Sequence, residues 1–162
     1  MYMKQEYCEN VSFRPVKLED YGFLYKLHVA TMKEYIKETW GWDEDFQQKM
    51  FRNKFNPQEL EIITFKKKDI GMIAIENRED NIFLRSIEIA PEYQKRGIGA
   101  YIVQAIINNA ARKNKPVFLY VLKANPAQKL YERLGFEKTS ETTTHYVMKI
   151  QAFLAEQLEG SI

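Results

Sequence analysis

The segment with the clearest chemical pattern is residues 94–99, which read Gln-Lys-Arg-Gly-Ile-Gly. It follows an apolar run that ends at Pro91 and precedes a run of apolar residues at helical spacing. Its two glycines allow the main chain to approach a ligand closely, and the first turn of a helix presents N–H groups that lack helical partners. Such N–H groups bind anions, and Lys95 and Arg96 add positive charge beside them. The pattern predicts a loop that binds a pyrophosphate group.

Two common phosphate-binding motifs do not fit this segment. A dinucleotide-binding fingerprint requires a third glycine where Ile102 stands. A Walker P-loop requires Gly-Lys-Ser/Thr after four spacer residues, and the sequence lacks it. One structural alternative stays open, in which Gly97 and Gly99 only shape a turn.

A second group of candidate residues surrounds Trp40 and Trp42, which are followed by three acidic residues at positions 43–45. Two aromatic rings beside carboxylates could bind a cationic amine through cation–π contacts and charge pairing. Alternatively, the tryptophans pack in the core and the acidic residues stabilise the start of the next helix. The two interpretations are compatible, and both stay open.

The histidines and the single cysteine suggest little chemistry by themselves. Tyr146 on the predicted last strand is a further candidate for contact with a substrate, whereas His145 beside it and His28 on the first long helix are predicted to be structural. Cys8 is the only cysteine, which excludes an internal disulfide. No group of His, Asp, Glu or Cys has the spacing of a metal site, so no metal is expected.

Strands and helices must alternate to position these residues. Apolar periodicity predicts the order β-α-α-β-β-β-α-β-α-β-β. Pro15 requires either that the first strand lie at a sheet edge or that the strand end at Pro15. Asp43 is a predicted N-cap and Gly135 a predicted C-cap. A hairpin meander followed by β-α-β crossovers predicts an α/β (α+β) fold, with a mixed, mostly antiparallel sheet of about seven strands flanked by helices. The predicted strands cover residues 11–16, 60–65, 70–75, 82–90, 116–122, 136–140 and 143–150, and the predicted helices cover residues 21–38, 43–55, 97–113 and 126–134.

Length and composition indicate one globular domain over residues 1–162, with a flexible or strand-entry segment at 1–9 and a short tail at 151–162. The net charge is only +2, from 24 basic and 22 acidic residues, so neither nucleic acid nor a membrane surface is expected as a partner. No apolar run approaches the roughly 20 residues of a membrane span, and the N-terminus lacks a secretory signal. A cytoplasmic location is therefore expected.

The loop at residues 94–99 resembles the phosphate-binding motif, Gln/Arg-x-x-Gly-x-Gly/Ala, of the GNAT superfamily of N-acetyltransferases. Residues 125–136, which read Asn-Pro-Ala-Gln-Lys-Leu-Tyr-Glu-Arg-Leu-Gly-Phe, are similar to a second block of that superfamily. Both blocks stand in the family's order, and the predicted elements agree with the family's fold over about residues 11–150.

This resemblance implies that the chain binds acetyl-CoA as a co-substrate. Main-chain N–H groups of the loop would bind the CoA pyrophosphate, and Asn125 would contact the pantetheine arm. The main chain around residues 87–89 would pair with pantetheine and polarise the acetyl carbonyl, which is the role of an oxyanion hole. The CoA-binding residues implied in this way are Ile87, Ile89, Gln94, Lys95, Arg96, Gly97, Ile98, Gly99, Ala100, Asn125 and Tyr131.

The resemblance also implies a catalytic acid, but it does not identify a base. Tyr131 matches the family's general acid, which protonates the departing CoA thiolate, although a tyrosine there could also pack beneath the loop and bond locally. At positions that align with bases in relatives, this sequence has Phe83, Arg85 and Tyr120, and none is a carboxylate. Glu88 is the acidic residue nearest to the predicted acetyl site and is the candidate base. The alternative for Glu88 is a surface or salt-bridged carboxylate.

We therefore expect an acetyl-CoA-dependent N-acetyltransferase that acetylates a primary amine of a small molecule, peptide or protein by direct attack in a ternary complex. Trp40, Trp42 and Tyr146 are the candidate substrate-binding residues. The main alternative is a non-catalytic acyl-CoA-binding or regulatory module on the same fold, and a nucleic-acid binder is disfavoured by the near-neutral charge. The exposed edges of a mixed sheet allow a homodimer, and the sequence does not identify the acceptor amine.

Overall fold

The computed structural model of the chain describes residues 2–151. The predicted order of elements is confirmed over this range, with one additional helix at its start. The predicted tail at 151–162 lies outside the described residues, apart from Gln151. The helices are α1 (Tyr2–Asn10), α2 (Tyr21–Trp40), α3 (Glu44–Lys54), α4 (Ile98–Arg112) and α5 (Gln128–Arg133). The strands are β1 (Val11–Pro15), β2 (Glu61–Phe65), β3 (Lys68–Asn77), β4 (Ile82–Ile89), β5 (Val117–Leu122), β6 (Glu137–Glu141) and β7 (His145–Ile150).

The seven strands form one mixed sheet in the order β1-β2-β3-β4-β5-β7-β6. Pairs β1–β2, β2–β3, β5–β7 and β6–β7 are antiparallel, and β4–β5 is parallel. Strand β1 lies at an edge, which is one of the two arrangements that Pro15 allows, because proline lacks the N–H group that a strand with two neighbours needs. The mixed, mostly antiparallel sheet of seven strands flanked by helices confirms the predicted fold class.

Contacts between residues divide the described chain into two compact units. The first unit contains the described residues up to Ala74, together with Ser86–Gly99. The second contains Ile75–Arg85 and the described residues from Ala100 onwards. The prediction of one domain over residues 1–162 stays a prediction.

The core of the first unit forms where helix α2 packs on strands β2 and β3. Leu24 and Leu27 of α2 stand three residues apart and so lie on one face of the helix. They pack with Ile62 and Met72, and all four side chains are at most 5% exposed. Burial of each such side chain contributes about 1.5–3 kcal/mol. This core fixes the position of α2, which also carries His28.

The second unit has its own core, built around α4 and β5. Val117, Leu119 and Val121 alternate along β5 and are all buried, as are Met148 on β7 and Ile102 on α4. Strand β5, whose sequence is almost continuously apolar, lies between β4 and β7 in the sheet.

Helix α1 corrects the expectation of a flexible or strand-entry segment over residues 1–9, since residues 2–9 lie in it. Its anchor is Tyr7, a buried residue whose ring packs edge-on against Phe65 with the ring centroids 6.2 Å apart. The hydroxyl of Tyr7 also donates a hydrogen bond to the main-chain carbonyl of Arg96. Sequence periodicity missed the helix because both partners of Tyr7 lie far along the chain.

Candidate functional site

The predicted pyrophosphate loop lies between a short 3₁₀ turn, Pro91–Tyr93, and the start of α4. Lys95 has φ 58° and Gly97 has φ 87°, so the loop passes twice through the left-handed region. Glycine adopts this conformation freely, whereas a residue with a side chain does so at a cost of about 1–2 kcal/mol. Residues 94–97 are exposed, and Ile98 is only 1% exposed. The buried Ile98 therefore anchors the start of α4 while the preceding main chain remains accessible.

Side chains on both sides of the loop hold it in place. Gln94 Nε2 donates a 2.8 Å hydrogen bond to the carbonyl of Ile89 at the end of β4. Tyr7 donates to the carbonyl of Arg96 from the side of α1, and its ring lies 3.6 Å from the point where a Cβ on Gly97 would stand. Because the C=O and N–H of a trans peptide point in opposite directions, the N–H of Gly97 faces away from Tyr7. The sequence contains no local signal for this contact.

Strand β3 approaches the end of β4 very closely beside the loop. A Cβ on Gly71 would stand 2.4 Å from the main-chain oxygen of Glu88. The parallel ladder between β4 and β5 pairs Ile82–Leu84 with Val117–Leu119, so Ile87 and Ile89 lie beyond the residues that the ladder pairs. The role predicted for the main chain at residues 87–89 stays a prediction.

Glu88 belongs to a buried hydrogen-bonded group with two residues of α2. Its carboxylate oxygens lie 3.0 Å from His28 Nδ1 and 3.0 Å from Thr31 Oγ1, and Glu88 is only 8% exposed. The Thr31 hydroxyl also lies 2.9 Å from the carbonyl of Leu27, so its one proton can serve either acceptor. Of the structural alternatives for Glu88, the surface carboxylate is wrong, because Glu88 is buried. The contact with His28 is a salt bridge only when the imidazole is protonated.

The sequence did not indicate that His28 belongs to the candidate site. It stands three positions before Thr31, so both face the same side of α2, which is the only local sign of their cooperation. Its Nδ1 bonds to Glu88, its ring centroid lies 5.3 Å from that of Phe51, and its side chain remains 20% exposed. The pairing with Glu88 is a tertiary contact across 60 residues of sequence.

A cavity of about 800 Å³ lies beside His28 within the first unit. Apart from His28, most of its lining is apolar, and the charged residues in its wall are Asp43 and Lys54. The apolar side chains that line it are Ile36, Trp40, Trp42, Phe46, Met50 and Phe51. Its size and lining are typical of small-molecule sites.

The structure confirms the helix cap expected in the tryptophan segment but not the core packing of Trp40, and the amine-binding interpretation stays a prediction. Asp43 Oδ1 accepts a 2.7 Å hydrogen bond from the N–H of Phe46, which confirms the predicted N-cap. Trp40 and Trp42 line the cavity, and Trp40 is 59% exposed, so it does not pack in the core. The ring of Trp42 already has a protein cation nearby, Lys33 Nζ at 5.2 Å from its centroid.

The predicted acid lies in the second unit. Tyr131 is 7% exposed and its ring packs edge-on against Phe136 with centroids 5.8 Å apart. Burial raises the pKa of Tyr131 to about 12, so the hydroxyl keeps its proton at neutral pH. Asn125 precedes it and folds back on the chain, with Oδ1 accepting a 2.9 Å hydrogen bond from the N–H of Ala127.

Tyr146, the third candidate on the substrate side, also belongs to the second unit. Lys123 Nζ and Lys138 Nζ lie 5.3 Å and 4.0 Å from the centroid of its ring. The neighbouring His145 contacts Thr144 Oγ1 at 2.9 Å, and burial lowers the pKa of its imidazole. Tyr146 is not among the residues that line the cavity beside His28, whereas Trp40 and Trp42 are.

Among residues 2–151, no three His, Cys, Asp or Glu side chains are grouped so that they could hold a metal ion. Within the same residues, no helix combines the length and the apolar character needed to cross a membrane.

Comparison with protein families matches residues 58–138, half of the chain, to the model described as an acetyltransferase (GNAT) domain. The match includes the loop at 94–99, Glu88, Asn125 and Tyr131. No curated protein sequence matches the chain significantly.

Solved structures with the same fold come from several organisms. The PaiA N-acetyltransferase of Thermoplasma acidophilum, in complex with coenzyme A, superposes with a TM-score of 0.71 at 16% identity, covering 87% of this chain and 98% of that one. The ribosomal-protein-S18-alanine N-acetyltransferase of Escherichia coli gives 0.61 at 18% identity, covering 90% and 96%. Arabidopsis thaliana Naa50, in complex with the bisubstrate analogue CoA-Ac-MVNAL, gives 0.57 at 17% identity, covering 87% and 98%. At such identities the likeness shows a shared fold.

Proposed function

Because the chain belongs to the GNAT acetyltransferase family, we propose that it transfers the acetyl group of acetyl-CoA to a primary amine of a small molecule, peptide or protein. The reaction proceeds by direct attack in a ternary complex. The observation that carries this proposal is the exposed loop at residues 94–97, which is held from two sides by Gln94 and Tyr7 at the start of α4. A preorganised set of main-chain N–H groups at a helix start suits a pyrophosphate.

Acetyl-CoA is bound through its pyrophosphate at the loop and through its pantetheine arm at the end of β4. The main chain of Ile87 and Ile89 pairs with pantetheine and stabilises the negative charge that develops on the acetyl oxygen. Asn125 contacts the pantetheine arm. Complexes of two proteins with this fold support a CoA site, since PaiA was crystallised with coenzyme A and Naa50 with a CoA bisubstrate analogue. The remaining proposed CoA-binding residues are Gln94, Lys95, Arg96, Gly97, Ile98, Gly99, Ala100 and Tyr131.

Tyr131 is the proposed general acid. A hydroxyl with a pKa of about 12 stays protonated at neutral pH and can donate to the sulfur as the thiolate forms. The attacking nitrogen becomes positively charged and must lose a proton, which restores the hydroxyl. Its burial therefore supports a role in which it donates a proton and is not left ionised.

Glu88 is proposed to belong to the base, together with its partner His28. Direct attack requires a neutral amine, and an amine that arrives as an ammonium ion must first lose a proton. A buried carboxylate 3.0 Å from an imidazole nitrogen is an arrangement that can accept one.

Thiol release from acetyl-CoA tests the proposal, with a panel of primary amines as acceptors. The wild type should release thiol with at least one amine, and Tyr131→Phe should lower kcat by about 10²–10⁴-fold, the usual contribution of a general acid. CoA affinity should change by less than about threefold in this variant. Tyr35→Phe is the control, because it also removes one tyrosine hydroxyl, from helix α2.

The same measurements distinguish an acetyltransferase from the alternative function. CoA binding without thiol release for any amine would support the non-catalytic acyl-CoA-binding module and reject the enzyme. Unchanged turnover in Tyr131→Phe would reject the assignment of the acid while leaving the reaction in place. Neither nucleic acid nor a membrane is part of the proposal, and a homodimer stays a prediction.

A further inference from the structure

We propose that the cavity beside His28 binds the acceptor, a primary amine on an aromatic or branched aliphatic body, and that His28 Nε2 removes its proton. This inference rests on the proposed acetyl transfer and names the acceptor class and the residue that contacts the reacting nitrogen. Glu88 then acts as a positioning residue behind His28.

The lining of the cavity determines the class of acceptor. Six apolar side chains and the ring of His28 surround a space of about 800 Å³. Burial of apolar surface contributes about 25 cal/mol per Å², so this wall favours an acceptor whose body is apolar. A long polyamine with charges along its whole length would lose hydration there with too few partners.

The charges at the cavity explain why the apolar body should carry an amine. Asp43 and Lys54 both line the cavity and have opposite charges, so they largely compensate each other. Glu88 behind His28 adds a buried carboxylate whose two oxygens bond to the imidazole and to a hydroxyl.

Two further charges at the Trp42 ring offset each other. Lys33 Nζ lies 5.2 Å from the centroid of the ring, and Glu44 accepts a 2.9 Å hydrogen bond from Trp42 Nε1. With His28 neutral, the excess charge beside the cavity is therefore the carboxylate of Glu88, which attracts an ammonium ion.

The pairing with Glu88 fixes which nitrogen of His28 acts. An ionised carboxylate accepts from Nδ1–H, so the neutral imidazole carries its lone pair on Nε2. His28 lines the cavity, whereas Glu88 is 8% exposed and has both oxygens engaged. His28 is therefore the member of the pair that can touch the amine. The imidazolium that forms becomes an ion pair with Glu88, which offsets part of the cost of taking the proton.

Glu88 also connects the cavity to the acetyl group, because Ile87 and Ile89 on either side of it belong to the proposed pantetheine site. In the reaction, an ammonium N–H bond breaks and its proton moves to Nε2. The nitrogen lone pair then forms the C–N bond to the thioester carbonyl carbon, and the C–S bond breaks. The second proton from nitrogen ends on sulfur, giving the CoA thiol, and His28 releases its proton to water.

The two tryptophans allow the acceptor site to be tested without turnover. The sequence contains two tryptophans, and both Trp40 and Trp42 line the cavity, so intrinsic fluorescence reports directly on it. Titration with 2-phenylethylamine or isoamylamine should give a saturable change, and Trp40→Ala should weaken binding at least tenfold. Spermidine and a short peptide with a free N-terminus should give no saturable change. Tighter binding of spermidine or the peptide than of 2-phenylethylamine would overturn the proposed acceptor class.

The role of His28 is tested by the pH profile of thiol release with 2-phenylethylamine. His28→Gln should lower kcat/KM by about 10²–10⁴-fold and change the pH dependence of kcat/KM, because the group that takes the proton is removed. Glu88→Gln should lower kcat/KM and also change that dependence, because it acts through His28. The charged groups that can contribute to this profile are Glu88, which contacts His28 from β4, and four residues at the cavity, Asp43, Lys54, Lys33 and Glu44.

Matched variants keep this test decisive. His145→Gln changes the other histidine of the sequence and should leave kcat/KM within about threefold. CoA binding to His28→Gln should match the wild type, which shows that the variant is folded. A folded His28→Gln that retains the wild-type pH profile would overturn the base assignment. Absence of turnover with every amine would instead reject the proposed function, while the fluorescence titration would still decide the acceptor site.

Discussion

Individual residues of this protein act through partners far away in the sequence. Tyr7 contacts the carbonyl of Arg96, and Glu88 contacts His28 across 60 positions. If the loop binds CoA as proposed, Tyr7 should affect CoA affinity, because its hydrogen bond to the Arg96 carbonyl orients the Arg96–Gly97 peptide, whose N–H points away from Tyr7. A hydroxyl that orients one peptide in this way should affect ligand binding more than turnover.

Removal of the Tyr7 hydroxyl tests this role. Tyr7→Phe keeps the ring contact with Phe65 and should raise the dissociation constant of CoA about three- to tenfold, because one hydrogen bond contributes about 0.5–1.5 kcal/mol. The kcat should remain within twofold. Calorimetric titration of CoA measures the change.

Tyr93→Phe is the control for this experiment, since Tyr93 lies beside the loop and its ring contacts with Phe65 and Arg96 would be retained. Its CoA affinity should equal that of the wild type. A Tyr7→Phe variant that loses stability but binds CoA normally would show that Tyr7 only packs.

At the scale of elements, the close contact of β3 with β4 supports the strand end that carries Glu88. Gly71 has no side chain, and a Cβ there would stand 2.4 Å from the Glu88 oxygen and 3.3 Å from Ile89 Cα. Both neighbours are main-chain atoms, which cannot move aside as the end of a flexible side chain can. The two strands would therefore have to separate.

Gly71→Ala should lower the free energy of unfolding by about 1–3 kcal/mol, the usual cost of overpacking a filled site. Urea unfolding measures this change. Gly22→Ala is the matched control, because nothing lies within 4 Å of a Cβ at that position in helix α2. Alanine is favoured over glycine in a helix by about 1 kcal/mol, so this control should be neutral or stabilising. Equal effects of the two substitutions would contradict the close contact.

At the scale of the whole molecule, the free energy of unfolding should fall at acidic pH, because a few carboxylates that are paired with cations become protonated. Arg14 forms two 2.9 Å hydrogen bonds to Asp20 and a 2.6 Å ion pair with Asp69. These bonds from the guanidinium lower the pKa of Asp20 from 3.8 to about 2. The folded-state pKa is below the unfolded one, so the stabilisation is present above about pH 4 and is lost as pH falls through about 2.

Asp20→Asn should therefore lower the free energy of unfolding by about 1–2 kcal/mol at pH 7, and the difference from the wild type should shrink between about pH 4 and 2. Urea unfolding at several pH values measures this. Glu19→Gln removes an adjacent, exposed carboxylate and should change stability by less than about 0.5 kcal/mol. A difference for Asp20→Asn that does not vary with pH would rule out the charged pair as its cause.

The sequence alone determined the order of elements from β1 to β7, the mixed sheet and the N-cap at Asp43. These features depend on hydrophobic periodicity and on backbone preferences of glycine and proline, which act between residues close in the chain. The loop at residues 94–99 could be recognised for the same reason, because its glycines and basic residues are next to each other in the sequence and are followed directly by the helix.

Only the tertiary structure decided helix α1, the contact of Tyr7 with the loop, the group of His28, Thr31 and Glu88, and the cavity beside it. The sequence around a residue such as Glu88 looks the same whether its side chain is solvated or buried against a histidine. Its state is determined by which residues of another element pack on it, and that depends on contacts between segments about 60 residues apart. The pyrophosphate-binding loop could therefore be predicted from local sequence, whereas the acceptor site could be proposed only after the elements had been brought together.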